Sequence, residues 1–152
     1  MMTKLRKPDF GLSVIETFVV VILIGIVVSF GLNAFMQISR NKRDTQRQSD
    51  IKSFHLRLES FFAQSAYYPT LNNLNDSAWV RKNMKDLTPE EMKDPKGTRS
   101  TLVAKHTANV YSYLPTASDD SACDNVKKPC VKYVLSATLE NSKTIFSRSH
   151  LN

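Results

Sequence analysis

Three groups of residues in this chain have types and spacings suited to chemistry. Glu16 is a lone carboxylate near the start of the apolar run FGLSVIETFVVVILIGIVVSFGLNAF, Phe10 to Phe35. Cys123 and Cys130 are the only two cysteines, with six residues between them. Asp119, Asp120 and Asp124 crowd into one stretch with Lys127 and Lys128. An ionised carboxylate at the centre of a membrane helix costs about 2.5–3.5 kcal/mol, and less toward the interface. Glu16 therefore needs either a place among lipid headgroups or a positive partner, and no Lys or Arg lies on the apolar helix to supply one. A cut after Gly11 would make that cation. The new amine at Leu12 would stand one turn from Glu16, or would meet the carboxylate of a neighbouring helix, where a buried ion pair can specify register.

In an oxidising exterior the two cysteines would close a small loop as a disulfide. Two inert thiols, or two ligands of a metal, are the alternatives; zinc would need two further ligands, and His55, His106 and His150 are scattered. The three aspartates raise calcium, which takes several oxygen ligands, but no EF-hand spacing surrounds them. A solvated acidic loop neutralised by Lys127 and Lys128 is the commoner arrangement, and no metal is assigned. The chain has no nucleophile elbow, P-loop, H-E-x-x-H or dinucleotide fingerprint. Its Ser, His and Asp residues are not drawn together by any motif, so neither an enzyme nor a cofactor is expected.

Positioning these residues falls to few elements. With 152 residues and 17.2 kDa, one modest core plus an N-terminal appendage is expected. No charge occurs in the twenty positions from Thr17 to Met36, enough for a helix to cross the roughly 30 Å hydrocarbon layer. Lys4, Arg6 and Lys7 ahead of it could mark a signal peptide, but the run is too long and no small-x-small site follows it. The segment is expected to stay. Arg40, Lys42, Arg43 and Arg47 follow the span, so the positive-inside rule does not fix orientation. These four are placed at headgroups or on a solvated helix face.

Ile51, Phe54, Leu58 and Phe61 recur at helical spacing, widened by Phe62 and Ala66. One helix from about Ser13 to Tyr67 is predicted, ended by Pro69. Residues 69–108 read as a connecting region. It has turn candidates at Asn72-Asn73, Asn75-Asp76 and Asp94-Pro95-Lys96-Gly97, and a short helix capped by Thr88 with Glu91 at N3. Residues 109–152 read as three antiparallel strands: one with Tyr111 and Tyr113 on one face, one with Tyr133, Leu135, Ala137 and Leu139, and one at KTIFSRS after Glu140-Asn141-Ser142. Each strand is expected to lay one face on the helix stripe.

Gly11, then Leu12-Ser13-Val14-Ile15-Glu16-Thr17, then an unbroken apolar run, resembles the class III leader junction of type IV prepilins and type II secretion pseudopilins. The resemblance implies an α+β, pilin-like fold: a long helix on a small antiparallel sheet with a disulfide-closed loop. It divides the chain into a leader, 1–11; a transmembrane or filament-core helix, 12–38; and a globular domain, 39–152, made of an amphipathic helix 39–68, the connecting region and the sheet. It implies cleavage between Gly11 and Leu12 by a prepilin peptidase, N-methylation of Leu12, and use of Glu16 with the Leu12 amine in assembly. Its implied partners are the peptidase, membrane lipid, other copies and other pilins in a filament, and an inner-membrane platform with its ATPase. Implied locations are the inner membrane, with the soluble domain outside the cytoplasm, and then an extracellular pilus serving adhesion, twitching motility, DNA uptake or secretion. The usual first mature Phe is replaced by Leu12, and Asn33 stands where the family's buried helix has Pro. Gly25 and Gly31 would permit local unwinding or close helix packing. The stretch KDPKG resembles the Asp-Pro-x-Gly turn ahead of the sheet in some major pseudopilins.

Loss of residues 1–11 removes Lys4, Arg6, Lys7 and Asp9 and lowers the net charge from +7 to +5. That permits nucleic-acid binding without indicating it, since no stripe of basic and aromatic residues marks the strands. An uncleaved single-pass anchor displaying a binding domain is the third class of function, and it leaves Gly11 and Glu16 without a role.

Overall fold

The structure, a computed structural model, describes residues 13–151, with the backbone alone at residues 30–33. Helix α1 runs unbroken over Val14–Ser65, and the chain divides into two units between Ser39 and Arg40. In the first unit α1 is apolar and exposed: Phe18 is 64% and Val27 70% accessible. This is the one helix among the described residues long and apolar enough to cross a membrane.

In the second unit the helix becomes the wall of a core. Ile51, Phe54 and Leu58 are fully buried, as their spacing predicts, each worth about 1.5–3 kcal/mol on removal from water. They face a three-stranded antiparallel sheet of order β1-β2-β3, with β1 Ser112–Thr116, β2 Lys132–Thr138 and β3 Ile145–Ser149. The sheet meets the helix mainly through tyrosines. Tyr111, Tyr113 and Tyr133 are buried, and Phe54 stacks on Tyr113 at 6.4 Å between ring centres. A buried phenol needs a partner for its hydroxyl. Tyr111 donates to Asp50 (2.6 Å), Tyr113 to the Pro69 carbonyl (2.8 Å) and Tyr133 to Glu59 (2.7 Å). The Tyr133 proton is thereby committed, so the 2.6 Å contact with His55 Nδ1 requires that nitrogen to be the donor.

Beyond the helix the structure departs from expectation at four places. Helix α1 stops at Ser65, before Pro69, because Ala66 turns left-handed at φ 60°. The connecting region holds two short helices, α2 Leu71–Asn75 and α3 Ser77–Asn83. Asn72-Asn73 is therefore helical and not a turn. Thr70 and Asn73 form a capping box for α2, while Asp76 ends α2 and caps α3 through the amides of Ala78 and Trp79. Leu74 and Val80 anchor the pair in the core. Thr88 and Glu91 do make the expected capping bonds, at 2.9 and 3.4 Å, yet only turns follow. Pro95 disfavours the helical region for Asp94 before it, and the turn at Asp94-Pro95 follows directly. Lastly, β3 is an exposed edge strand with only Phe146 half-buried, so it does not lay a full face on the helix.

The turn at Asp94-Pro95-Lys96-Gly97 forms as expected, closed by the Gly97 amide on the Asp94 carbonyl at 2.8 Å. Gly97 fits tightly: a Cβ there would lie 2.8 Å from the Asn109 carbonyl oxygen and 3.2 Å from the Asp94 backbone. Gly97→Ala is expected to destabilise by about 1–3 kcal/mol, the range for overpacking. Urea unfolding of the full chain in a non-ionic detergent measures it; an unchanged midpoint would contradict the close packing.

Candidate functional site

Glu16 lies in the first turn of α1. Its Oε2 accepts from the Ser13 amide at 3.4 Å, and the Thr17 amide and hydroxyl both bond the Ser13 carbonyl, at 3.0 and 3.2 Å. The carboxylate thus reaches back to the helix N-terminus, where unsatisfied amides carry partial positive charge. That is the return half of an S-x-x-E capping box, Ser13 to Glu16. It is a compensation the sequence reading did not weigh. Further along, the Ser29 hydroxyl donates to the Gly25 carbonyl at 2.8 Å, an inward bond of the kind an apolar medium favours. A Cβ at Gly25 would touch nothing within 4 Å. Gly11 and Leu12, the expected cleavage and methylation positions, lie outside the described residues.

Cys123 and Cys130 form a disulfide with 5.2 Å between their Cα atoms. The closed loop docks on Tyr68, just past the end of α1: the Cys130 amide donates to Asn125 Oδ1 (2.7 Å), Asn125 Nδ2 to the Tyr68 carbonyl (2.8 Å), and the Tyr68 amide to the Cys130 carbonyl (2.7 Å). The aspartates of this region have separate partners. Asp119 pairs with Lys128 at 2.8 Å, and Asp120 with Lys132 at 2.9 Å. Asp124 Oδ1 takes the amides of Val126, Lys127 and Lys128, which hold its carboxyl below the usual range. Among the described residues no group of three or more His, Cys, Asp or Glu side chains is placed to hold a metal.

Sequence reasoning misplaced Arg43 and Arg47. They do not sit on a solvated face or at headgroups: Arg47 is fully buried and Arg43 half-buried. Arg47 forks onto Asp94 (Nε–Oδ2 2.6 Å, Nη2–Oδ1 2.9 Å), and its Nη1 reaches Asp44 (2.9 Å) and Glu140 (2.8 Å). Arg43 forks onto Glu140 at 2.7 and 2.8 Å, and Lys96 joins at 3.1 Å. Asp44 in turn accepts the amides of Glu140 and Asn141. Three cations thus meet three carboxylates, tying α1, the Asp94 turn and the β2–β3 connection to one another. The Arg43 fork holds the Glu140 carboxyl well below its ordinary range. Burial alone would raise Asp44, but the two amides and Arg47 outweigh it and lower its pKa.

The fold also gathers residues that the sequence left scattered. His106 Nδ1 lies 2.8 Å from Ser136 Oγ and 3.1 Å from Ser112 Oγ, and the two hydroxyls are 2.6 Å apart. Both serines are buried, and among the described residues no carboxylate bonds the imidazole. The contact fastens the segment before β1 to the strands.

Compared with family models, curated proteins and solved structures, the chain matches none.

Proposed function

We propose that this chain is a structural subunit of a type IV pilus, major or minor, made as a membrane-held precursor and assembled into a surface filament. The observation that carries the reading is a single helix with two environments. Its first part is apolar and exposed with Glu16 in the opening turn, and its second part lines a core that includes a disulfide-tied loop. An exposed apolar helix is stable in lipid or against other helices, and a filament substitutes the second for the first. A prepilin peptidase would cut between Gly11 and Leu12 and methylate Leu12, placing a cation one residue before the Ser13 amide that Glu16 already faces. The inner-membrane platform and ATPase would then lift the subunit out of the bilayer. Glu16 would meet the Leu12 amine of a neighbour as register was set. Gly25, where an added Cβ would meet nothing within 4 Å, is available for close approach of a neighbouring helix or for local unwinding.

A pseudopilin of type II secretion or competence is the second reading. The turn Asp94-Pro95-Lys96-Gly97 favours it, being a tightly packed structural corner ahead of the sheet.

Intact mass and the N-terminal peptide of the protein from native membranes test the pathway. A chain beginning at methylated Leu12 is expected. A chain that retains Met1 to Gly11 where a prepilin peptidase is active would favour an uncleaved anchor and leave Glu16 without its cation.

A further inference from the structure

Away from the apolar helix and the buried ion network, a cleft of about 320 Å³ opens between α1 and the end of α3 with the segment that follows it. Arg57, Ser60, Phe61 and Gln64 form one wall, spaced as one face of α1; Lys82, Lys85 and Asp86 stand opposite. Its size falls at the lower end of small-molecule sites, about 300–1,000 Å³.

The charges in this cleft are incompletely matched. Arg57 Nη2 donates to Glu91 Oε1 at 2.7 Å, but Glu91 Oε2 is committed to the Thr88 amide and hydroxyl. Glu91 therefore cannot complete a fork, and Arg57 Nε is buried with no hydrogen-bond partner. A guanidinium so placed is short of one acceptor. Among the described residues no carboxylate lies within ion-pair distance of Lys82 or Lys85, and Asp86 is the one acid in the lining. With Glu91 counted against Arg57, the cleft keeps one positive charge in excess.

Phe61 adds a flat apolar wall. Its ring lies 5.6 Å from Trp79 and 5.7 Å from Tyr67, and all three rings are only half-buried. Gln64 and Asn83 add amides beside it. An aromatic wall, amide groups and surplus positive charge within a space for one ring match an acidic sugar. We propose that this cleft binds a monosaccharide unit bearing a carboxylate or phosphate. The ring lies along Phe61 and the anionic oxygens meet Lys82, Lys85 and the exposed edge of the Arg57 guanidinium. The assignment does not rest on the filament reading.

The test uses the full chain in non-ionic detergent and the fluorescence of Trp79, its single tryptophan. The probes are glucuronate, glucose 6-phosphate, glucose and inorganic phosphate. A saturable change is expected with at least one of the two acidic sugars, and a weaker response or none with glucose and inorganic phosphate. Lys82→Glu combined with Lys85→Glu should weaken binding by at least about tenfold. These side chains are exposed, so their reversal should lower the unfolding midpoint only slightly, through the charge of Lys82 in the last turn of α3, and leave the fold intact. Asp86→Asn should tighten binding, an effect of opposite sign that a damaged fold would not give. No saturable change at tens of millimolar acidic sugar would overturn the proposal. So would equal binding of glucose, equal binding of inorganic phosphate, or affinity unchanged by the lysine reversals.

Discussion

Replacing Glu16 with Ala or with Gln is expected, on the filament proposal, to leave the chain inserted in the membrane and to abolish filaments; the Gln variant separates two roles for the side chain. As a capping group, Glu16 needs only an oxygen that can accept from the Ser13 amide, and Gln serves as well at N3 of a capping box. Losing that bond costs about 1 kcal/mol. As the partner of a neighbour's amine in an apolar layer, Glu16 needs its charge. Breaking such a pair strands a buried ion at about 3–5 kcal/mol, more than a hundredfold in an association constant. Electron microscopy of sheared surface material, with immunoblots of membranes for the retained subunit, reads both quantities. Normal filaments from Glu16→Gln but not from Glu16→Ala would assign the residue to capping alone. Normal filaments from both would remove Glu16 from assembly.

The α+β layout could be read from the sequence because its elements follow local periodicity. Ile51, Phe54 and Leu58 show helical spacing, and Tyr111, Tyr113, Tyr133 and Leu135 show strand alternation; all are buried. Glu16 drew attention for the same reason, as an exception to an otherwise unbroken apolar pattern. Features set by distant partners were not legible. Arg47 looks like any solvated lysine or arginine after a long apolar run until Asp94 and Glu140, 47 and 93 residues away, fold against it. Helices α2 and α3 were hidden by composition: LNNLN is poor in helix formers, and side chains of Thr70, Asn73 and Asp76 supply the missing backbone partners. The Thr88 box misled in the other direction, since a cap promises a helix only where chain follows to extend it. Arg57 and Lys82 likewise line one cleft only because α3 folds back beside α1.

Arg47→Met is expected to destabilise the globular unit by about 3–5 kcal/mol, because it leaves Asp94 buried without its cation and takes one of the cations from Glu140. For a domain whose total stability is about 5–15 kcal/mol, that is a large share. Arg43 cannot compensate, since its fork already holds Glu140. Asp94 also supports its own turn through the Lys96 amide, so Asp94→Asn should cost less than Arg47→Met while loosening the same corner. A well-packed apolar pair, Arg47→Met with Asp94→Leu, should recover part of the loss, as buried ion pairs replaced by hydrophobic groups often do. The pH dependence has a definite sign. Glu140 and Asp44 have lowered pKa values when folded, so below the ordinary carboxylate range, about pH 4, the unfolded chain binds more protons than the folded one. Stability should therefore hold above that range and fall as the pH drops through the lowered values. In Arg47→Met that acid-induced fall should be shallower, because part of what lowers both pKa values has gone. Urea unfolding followed by Trp79 fluorescence at neutral and acid pH measures both effects. A loss under about 1 kcal/mol with an unchanged acid slope would mean that the network does not tie the β2–β3 connection to α1.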